Sequence, residues 1–176
     1  ESLFVHEAIP GHHYRVSLQQ ENTSLPKFMR FGWFGAYGEG WAHYCETLGP
    51  EFGLYTDPYQ KMGYLSDQML RAVRLVVDTG LHTGTMNREE AIKYFLSNIS
   101  YDEAAATAEI ERYMALPGQA LGYKIGALRI RELRDKYQKE LGAKFSLAKF
   151  HDEVLNQGCL PLDVLDRKME NWAKRQ

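Results

Sequence analysis

The sequence predicts an all-α domain. Apolar residues recur at steps of three and four, strand-like alternation is nearly absent, and helix starts and stops punctuate the chain between apolar stretches. Residues 2–20 read as helix with an interruption at Pro10-Gly11, because proline lacks a ladder donor and glycine tolerates unusual backbone angles. A short edge hairpin within 24–36 stays open. Residues 33–48 read as the next helix, closed by Gly49-Pro50. From Pro58 to about Asp78, Met62, Leu65, Met69, Val73 and Val76 mark one face of an amphipathic helix, with Gly80 as its stop. Asn87 with Glu90 forms a capping-box pattern that opens a helix to about Asn98. Ser100-Tyr101-Asp102-Glu103 repeats the device before an Ala-rich helix ending near Met114, and Leu116-Pro117-Gly118 is a turn. Residues 120–141 carry Ile125, Leu128, Leu133, Tyr137 and Leu141 on related faces and close at Gly142. Shorter helices follow at about 146–157, stopped by Gly158, and 161–174, opened by Pro161.

The 176 residues form one expected domain, residues 1–176, with 44% apolar and 25% charged residues, values that exclude a disordered, collagen-like or rod-like chain. A net charge of −2 leaves no basic excess to neutralise phosphates, so no nucleic-acid partner is expected. No apolar run approaches the roughly 20 residues that span a bilayer. Cys45 and Cys159 are too few for a disulfide scaffold and are expected as free thiols. The chain opens on Glu1 inside an ordered element with no visible targeting segment, so it is expected to be part of a longer protein, and its compartment is left open.

Five of the six histidines precede residue 83, and the densest cluster is His6-Glu7-Ala8-Ile9-Pro10-Gly11-His12-His13. Two imidazoles and a carboxylate in one short segment suit a zinc hydrolase: neutral imidazoles bind Zn²⁺, and a Glu beside the first His can take a proton from a water that the ion acidifies. The usual spacing, His-Glu-x-x-His, puts both imidazoles on one face, one turn apart. Here the second imidazole comes six residues (His12) or seven (His13) after the first. On an unbroken helix seven residues rise about 10.5 Å, too far for both rings to reach one ion at about 2.0–2.1 Å. A bulge or break at Pro10-Gly11 would return His12 to the position of the second ligand.

A third ligand is expected from Glu39, near the start of the following helix, where Gly40 and Ala42 are small enough to let that helix pack closely on the first. Glu46, two turns on, is placed to accept the outer N–H of a ligand histidine. Whether His13 replaces His12, or Glu46 replaces Glu39, stays open at the level of spacing. Trp41 and Tyr44 read as packing residues, and His43 and His151 as structural.

His-Glu-Ala-Ile-Pro-Gly-His-His followed by Glu-Gly-Trp-Ala-x-Tyr-x-Glu resembles the DUF885 family of bacterial proteins. Asp78-Thr79-Gly80-Leu81-His82, Pro117 to Lys124, Phe150-His151-Asp152 and Leu160-Pro161-Leu162 also fit, in order, over nearly the whole chain. The resemblance implies the C-terminal part of a much longer protein, whose missing N-terminal part packs against it. It also implies a largely helical, zincin-like metallopeptidase domain of the gluzincin kind. His6, Glu7, His12 and Glu39 fall on the motif positions, and the resemblance favours His12 over His13.

The expected reaction is hydrolysis of a peptide-like substrate at one Zn²⁺ per chain, with His6, His12 and Glu39 as ligands and Glu7 as general base. The oxyanion needs a donor besides the metal. Tyr123 and His82, each after a glycine-containing turn or bend, are the candidates, with Asp78 placed to orient His82. Arg71 and Arg74, or Arg112 and Lys124, could hold a substrate carboxylate, and the charged run Arg129–Lys136 reads as a solvated face. An inert binding domain of the same shape is the alternative. A two-metal carboxylate bundle fits poorly, since neither Glu39 nor Glu46 has a His at its third following position.

Overall fold

A computed structural model describes all of residues 1–176 and is entirely helical. Ten α-helices follow in order: α1 (Ser2–Glu7), α2 (His12–Glu21), α3 (Lys27–Arg30), α4 (Gly35–Glu46), α5 (Pro58–Thr83), α6 (Arg88–Asn98), α7 (Glu103–Ala115), α8 (Gln119–Leu141), α9 (Leu147–Leu155) and α10 (Leu162–Ala173). Short 3-10 turns occupy Gly49–Phe52 and Gly142–Lys144.

Local chemistry sets the boundaries. The Asn87 side chain accepts the Glu90 N–H and Glu90 reaches back to the Asn87 N–H, a complete capping box. Asp102, rather than Ser100, caps α7 by accepting the Ala105 N–H at 2.8 Å. The 24–36 region holds the single helical turn α3 and no hairpin: Gln19 donates to the Met29 and Gly32 carbonyls at 2.7 and 2.9 Å, serving backbone acceptors that a strand partner would otherwise take. α5 does not stop at Gly80. It runs to Thr83 and ends at Gly84 in the left-handed region (φ 73°), while Gly80 makes room inside the helix for Met86.

The frame is the α4–α8 pair, packed along most of its length. A Cβ on Gly126 would overlap the Ala36 carbonyl, and one on Gly40 would overlap the Gly126 backbone, so the two helices touch backbone to backbone. Ala36 and Gly40 of α4 thus serve contact with α8; Gly40 does not make the expected close approach to the first helix. One apolar cluster joins α1, α4, α8, α9 and α10 around Trp41, Tyr37, Phe150 and Trp172. A second joins α5, α6 and α7 to the start of α8 around Val77, Phe95, Ile110 and Tyr113. Of the five α5 residues expected on the buried face, only Val73 is inside. Leu70 and Val77 complete the inner face, and Met62, Leu65, Met69 and Val76 are exposed. No helix is long and apolar enough to cross a membrane.

Candidate metal centre

The chain breaks at Pro10-Gly11, and the break is what lets two imidazoles meet. α1 ends at Glu7 and α2 begins at His12. A Cβ on Gly11 would overlap the His6 carbonyl oxygen, so the chain returns against the last turn of α1 by a route only glycine permits. Trp41 fixes this corner by donating its indole N–H to the Pro10 carbonyl at 2.8 Å. The His6 and His12 rings end with centroids 4.8 Å apart, edge to face.

α4 brings the carboxylate. Glu39 Oε2 lies 3.0 Å from His12 Nε2 and 3.8 Å from His6 Nε2. One ligand atom from each of His6, His12 and Glu39 falls within 4.8 Å of the others. Bonds of about 2.0–2.1 Å to one zinc would set three donors roughly 3.3 Å apart, so two nitrogens and one oxygen at these separations fit that ion with small side-chain adjustments. His13, the neighbouring imidazole, is exposed and outside the group.

Glu46, one per cent exposed, stands behind His6 and accepts its Nδ1–H at 2.6 Å, which directs Nε2 toward Glu39 and His12. The buried carboxylate is also faced by His43 Nδ1 (3.2 Å), Gln68 Nε2 (3.2 Å) and Arg71 (3.8 Å). Burial pulls the His6 pKa down, but its contacts with Glu39 and Glu46 outweigh burial and raise it to about 9. Burial likewise pushes Glu39 up, yet His12 and His6 hold it at about 2, while His43 and His6 hold Glu46 at about 2. A proton on His6 offsets one of the two carboxylate charges. Burial lowers the pKa of His43, which keeps the second imidazole on Glu46 neutral.

The donors open on a cleft of about 410 Å³ lined by Glu7, Val16, Trp33 and Tyr123 besides the three ligands. Glu7 is exposed and touches none of them in a hydrogen bond, so its carboxylate is free. Tyr123 stacks on His6 with centroids 6.1 Å apart and receives Arg71 and Arg74 near its ring at 5.7 and 4.9 Å. Its hydroxyl accepts from Gln119 Nε2 at 3.4 Å and keeps its own proton to donate.

His82 does not belong to this group. It lies eleven residues beyond Arg71 on α5, roughly 16 Å along the axis. Its Nε2 hydrogen-bonds the Tyr113 carbonyl at 3.0 Å and sits 3.4 Å from Asp78. Asp78 accepts the Gly118 N–H at 3.1 Å, so both residues anchor the turn that launches α8. The four basic candidates are also occupied: Arg71 by Asp67, Arg74 by Glu109 and Tyr113, Arg112 by Gln119, Lys124 by Gln68. The cleft residues that spacing did not single out are Val16 and Trp33. Trp33 sits in the loop before α4, where no periodicity flags it.

The chain belongs to the DUF885 family, described as bacterial proteins of unknown function, whose pattern matches residues 1–169. No curated protein matches it. Among solved structures, it is similar to a candidate lipoprotein from Colwellia psychrerythraea, with 47% identity and a TM-score of 0.96 over 99% of this chain and 30% of that one. It is also similar to a candidate lipoprotein of unknown function from Shewanella oneidensis, with 28% identity and a TM-score of 0.85 over 96% of this chain and 31% of that one. The chain thus spans about 30% of the length of these relatives.

Proposed function

For this DUF885 chain, we propose a zinc-dependent hydrolase of peptide or related amide bonds, zincin-like in its chemistry. The observation that carries the reading is the convergence of His6, His12 and Glu39 beside a free carboxylate, Glu7, in an open cleft. One Zn²⁺ per chain would be held by those three residues, with Glu46 fixing the His6 tautomer. Zinc there would supply positive charge that acidifies a water and polarises a carbonyl.

The remaining work falls to the protein's own groups. Glu7 adjoins the first ligand without being one, so it can take a proton from the attacking water and pass it to the leaving amine. Tyr123 supports the carbonyl oxygen as negative charge gathers on it, using the hydroxyl proton that its contact with Gln119 leaves free. The rest of the longer protein is proposed to cover the apolar faces left open here, such as Met62, Leu65 and Met69 on α5 and the 510 Å³ apolar hollow around Phe4, Ile9 and Phe52.

Glu7→Gln in the intact protein tests the chemistry, since it keeps size and removes the base. Turnover of a peptide library should fall by about 10²–10⁴-fold with zinc content unchanged. Equal hydrolysis by both proteins would remove Glu7 from the role of base, and none by either would replace the hydrolase with an inert domain of the same fold.

A further inference from the structure

Trp33 is an unusual residue to leave in water. Half of its surface is exposed, yet the ring is held from several sides. Gly38 on α4 leaves the space its six-membered ring occupies, which a Cβ at that position would enter. The Arg15 guanidinium lies 4.9 Å from the ring centroid, and Arg15 itself is buried and bonded to Gln19 at 2.7 Å. Gln19 in turn grips the carbonyls of Met29 in α3 and of Gly32 in the loop that carries Trp33. A buried polar chain thus fixes an exposed indole against the cleft, with its centroid 5.9 Å from that of the His12 ring. Val16 adds a second apolar surface to the same wall.

A rigid, preorganised aromatic surface beside reacting atoms binds with little ordering cost, and its natural complement is another apolar or aromatic group. Arg15, the cation beside the ring, is buried and bonds Gln19 through Nη1, so it presents no exposed charge to the cleft. We infer that Trp33 and Val16 form a side-chain subsite that selects peptide-like substrates bearing an apolar, preferably aromatic, residue next to the bond cleaved. Trp33 acts as a specificity-determining residue, and the inference rests on the hydrolase reading for the meaning of the bond.

The chain has three tryptophans, which makes a direct test readable. Trp41 is buried and its N–H is engaged, and Trp172 is buried against Tyr137 and Phe150, away from the cleft lining. Indole N–H resonances of the ¹⁵N-labelled, zinc-supplemented chain are followed by NMR while N-acetylphenylalanine amide or N-acetylglycine amide is added. The Trp33 signal, assigned by its loss in Trp33→Phe, should move with the phenylalanine compound, barely move with the glycine compound, and leave Trp41 and Trp172 still. In the intact protein, Trp33→Ala should lower kcat/KM for a peptide with Phe at the selected position by about 10–100-fold relative to its Gly counterpart, with zinc content retained and Trp33→Phe recovering part of the loss. A moving Trp33 signal without hydrolysis of any peptide keeps the subsite and removes the hydrolase. A Trp33 signal indifferent to both compounds, or hydrolysis whose Phe preference survives Trp33→Ala, overturns the subsite.

Discussion

The imidazole of His6 has two neighbours with different demands. Glu46 fixes its Nδ1–H, and Glu39 shares the space its Nε2 faces. Glu39 is therefore expected to matter for holding metal, in contrast to Glu7. Glu39→Gln should lose zinc first and activity with it, and His12→Ala should do the same while His13→Ala keeps zinc, all read by metal content after dialysis. Retention of zinc by Glu39→Gln with loss in Glu7→Gln would mean the two roles are exchanged. His151 gives a separate, metal-independent expectation. Its ring packs against Trp41 and accepts from the Tyr44 hydroxyl at 2.8 Å, and burial, aided by Arg134, lowers its pKa to about 4. The unfolded chain binds the proton near the ordinary 6.5 and the folded chain near 4, so stability contributed here is present above 6.5 and drains as pH falls toward 4. His151→Gln should flatten the dependence of the thermal midpoint on pH across that window; an unchanged slope would show that other groups carry it.

At the scale of elements, the metal group depends on a corner and a seam. Gly11→Ala pushes a Cβ into the His6 carbonyl and should separate His12 from His6, weakening zinc binding while far-ultraviolet circular dichroism stays helical. Gly126→Ala strains the α4–α8 contact instead, with an expected loss of about 1–3 kcal/mol and a thermal midpoint lower by roughly 2–12 °C. A variant as stable as the parent would show that the helices separate freely. These elements also mark how far the sequence could be read. Pro10-Gly11 announced its break because both residues act through their own backbone chemistry, and Asn87 with Glu90 announced its cap for the same reason. The inner face of α5 was not legible, because that helix carries two apolar stripes and only tertiary contact selects Leu70, Val73 and Val77 over Met62, Leu65 and Met69. His82 misled because a histidine in the last turn of a helix reads alike whether it serves a site or a neighbouring carbonyl. Trp33 went unmarked because its role comes from Arg15, Gln19 and Gly38 around it.

On the scale of the whole molecule, two apolar clusters meet across α8, and broad apolar faces of α1, α5 and α8 still point outward. Since solved relatives continue well beyond the matched region, those faces are expected to be covered in the intact protein. The 176-residue chain alone should brighten an apolar dye such as anilinonaphthalene sulfonate, and the intact protein should do so far less. Equal dye binding by both would leave the faces open to some other partner. The most direct test of the centre itself is elemental analysis of the purified chain after equilibration with zinc and exhaustive dialysis, beside a His6→Ala, His12→Ala double variant. One zinc per parent chain and none in the variant is the expected result. A parent chain without zinc, or a variant that keeps it, would contradict the assignment of His6, His12 and Glu39 as the metal ligands.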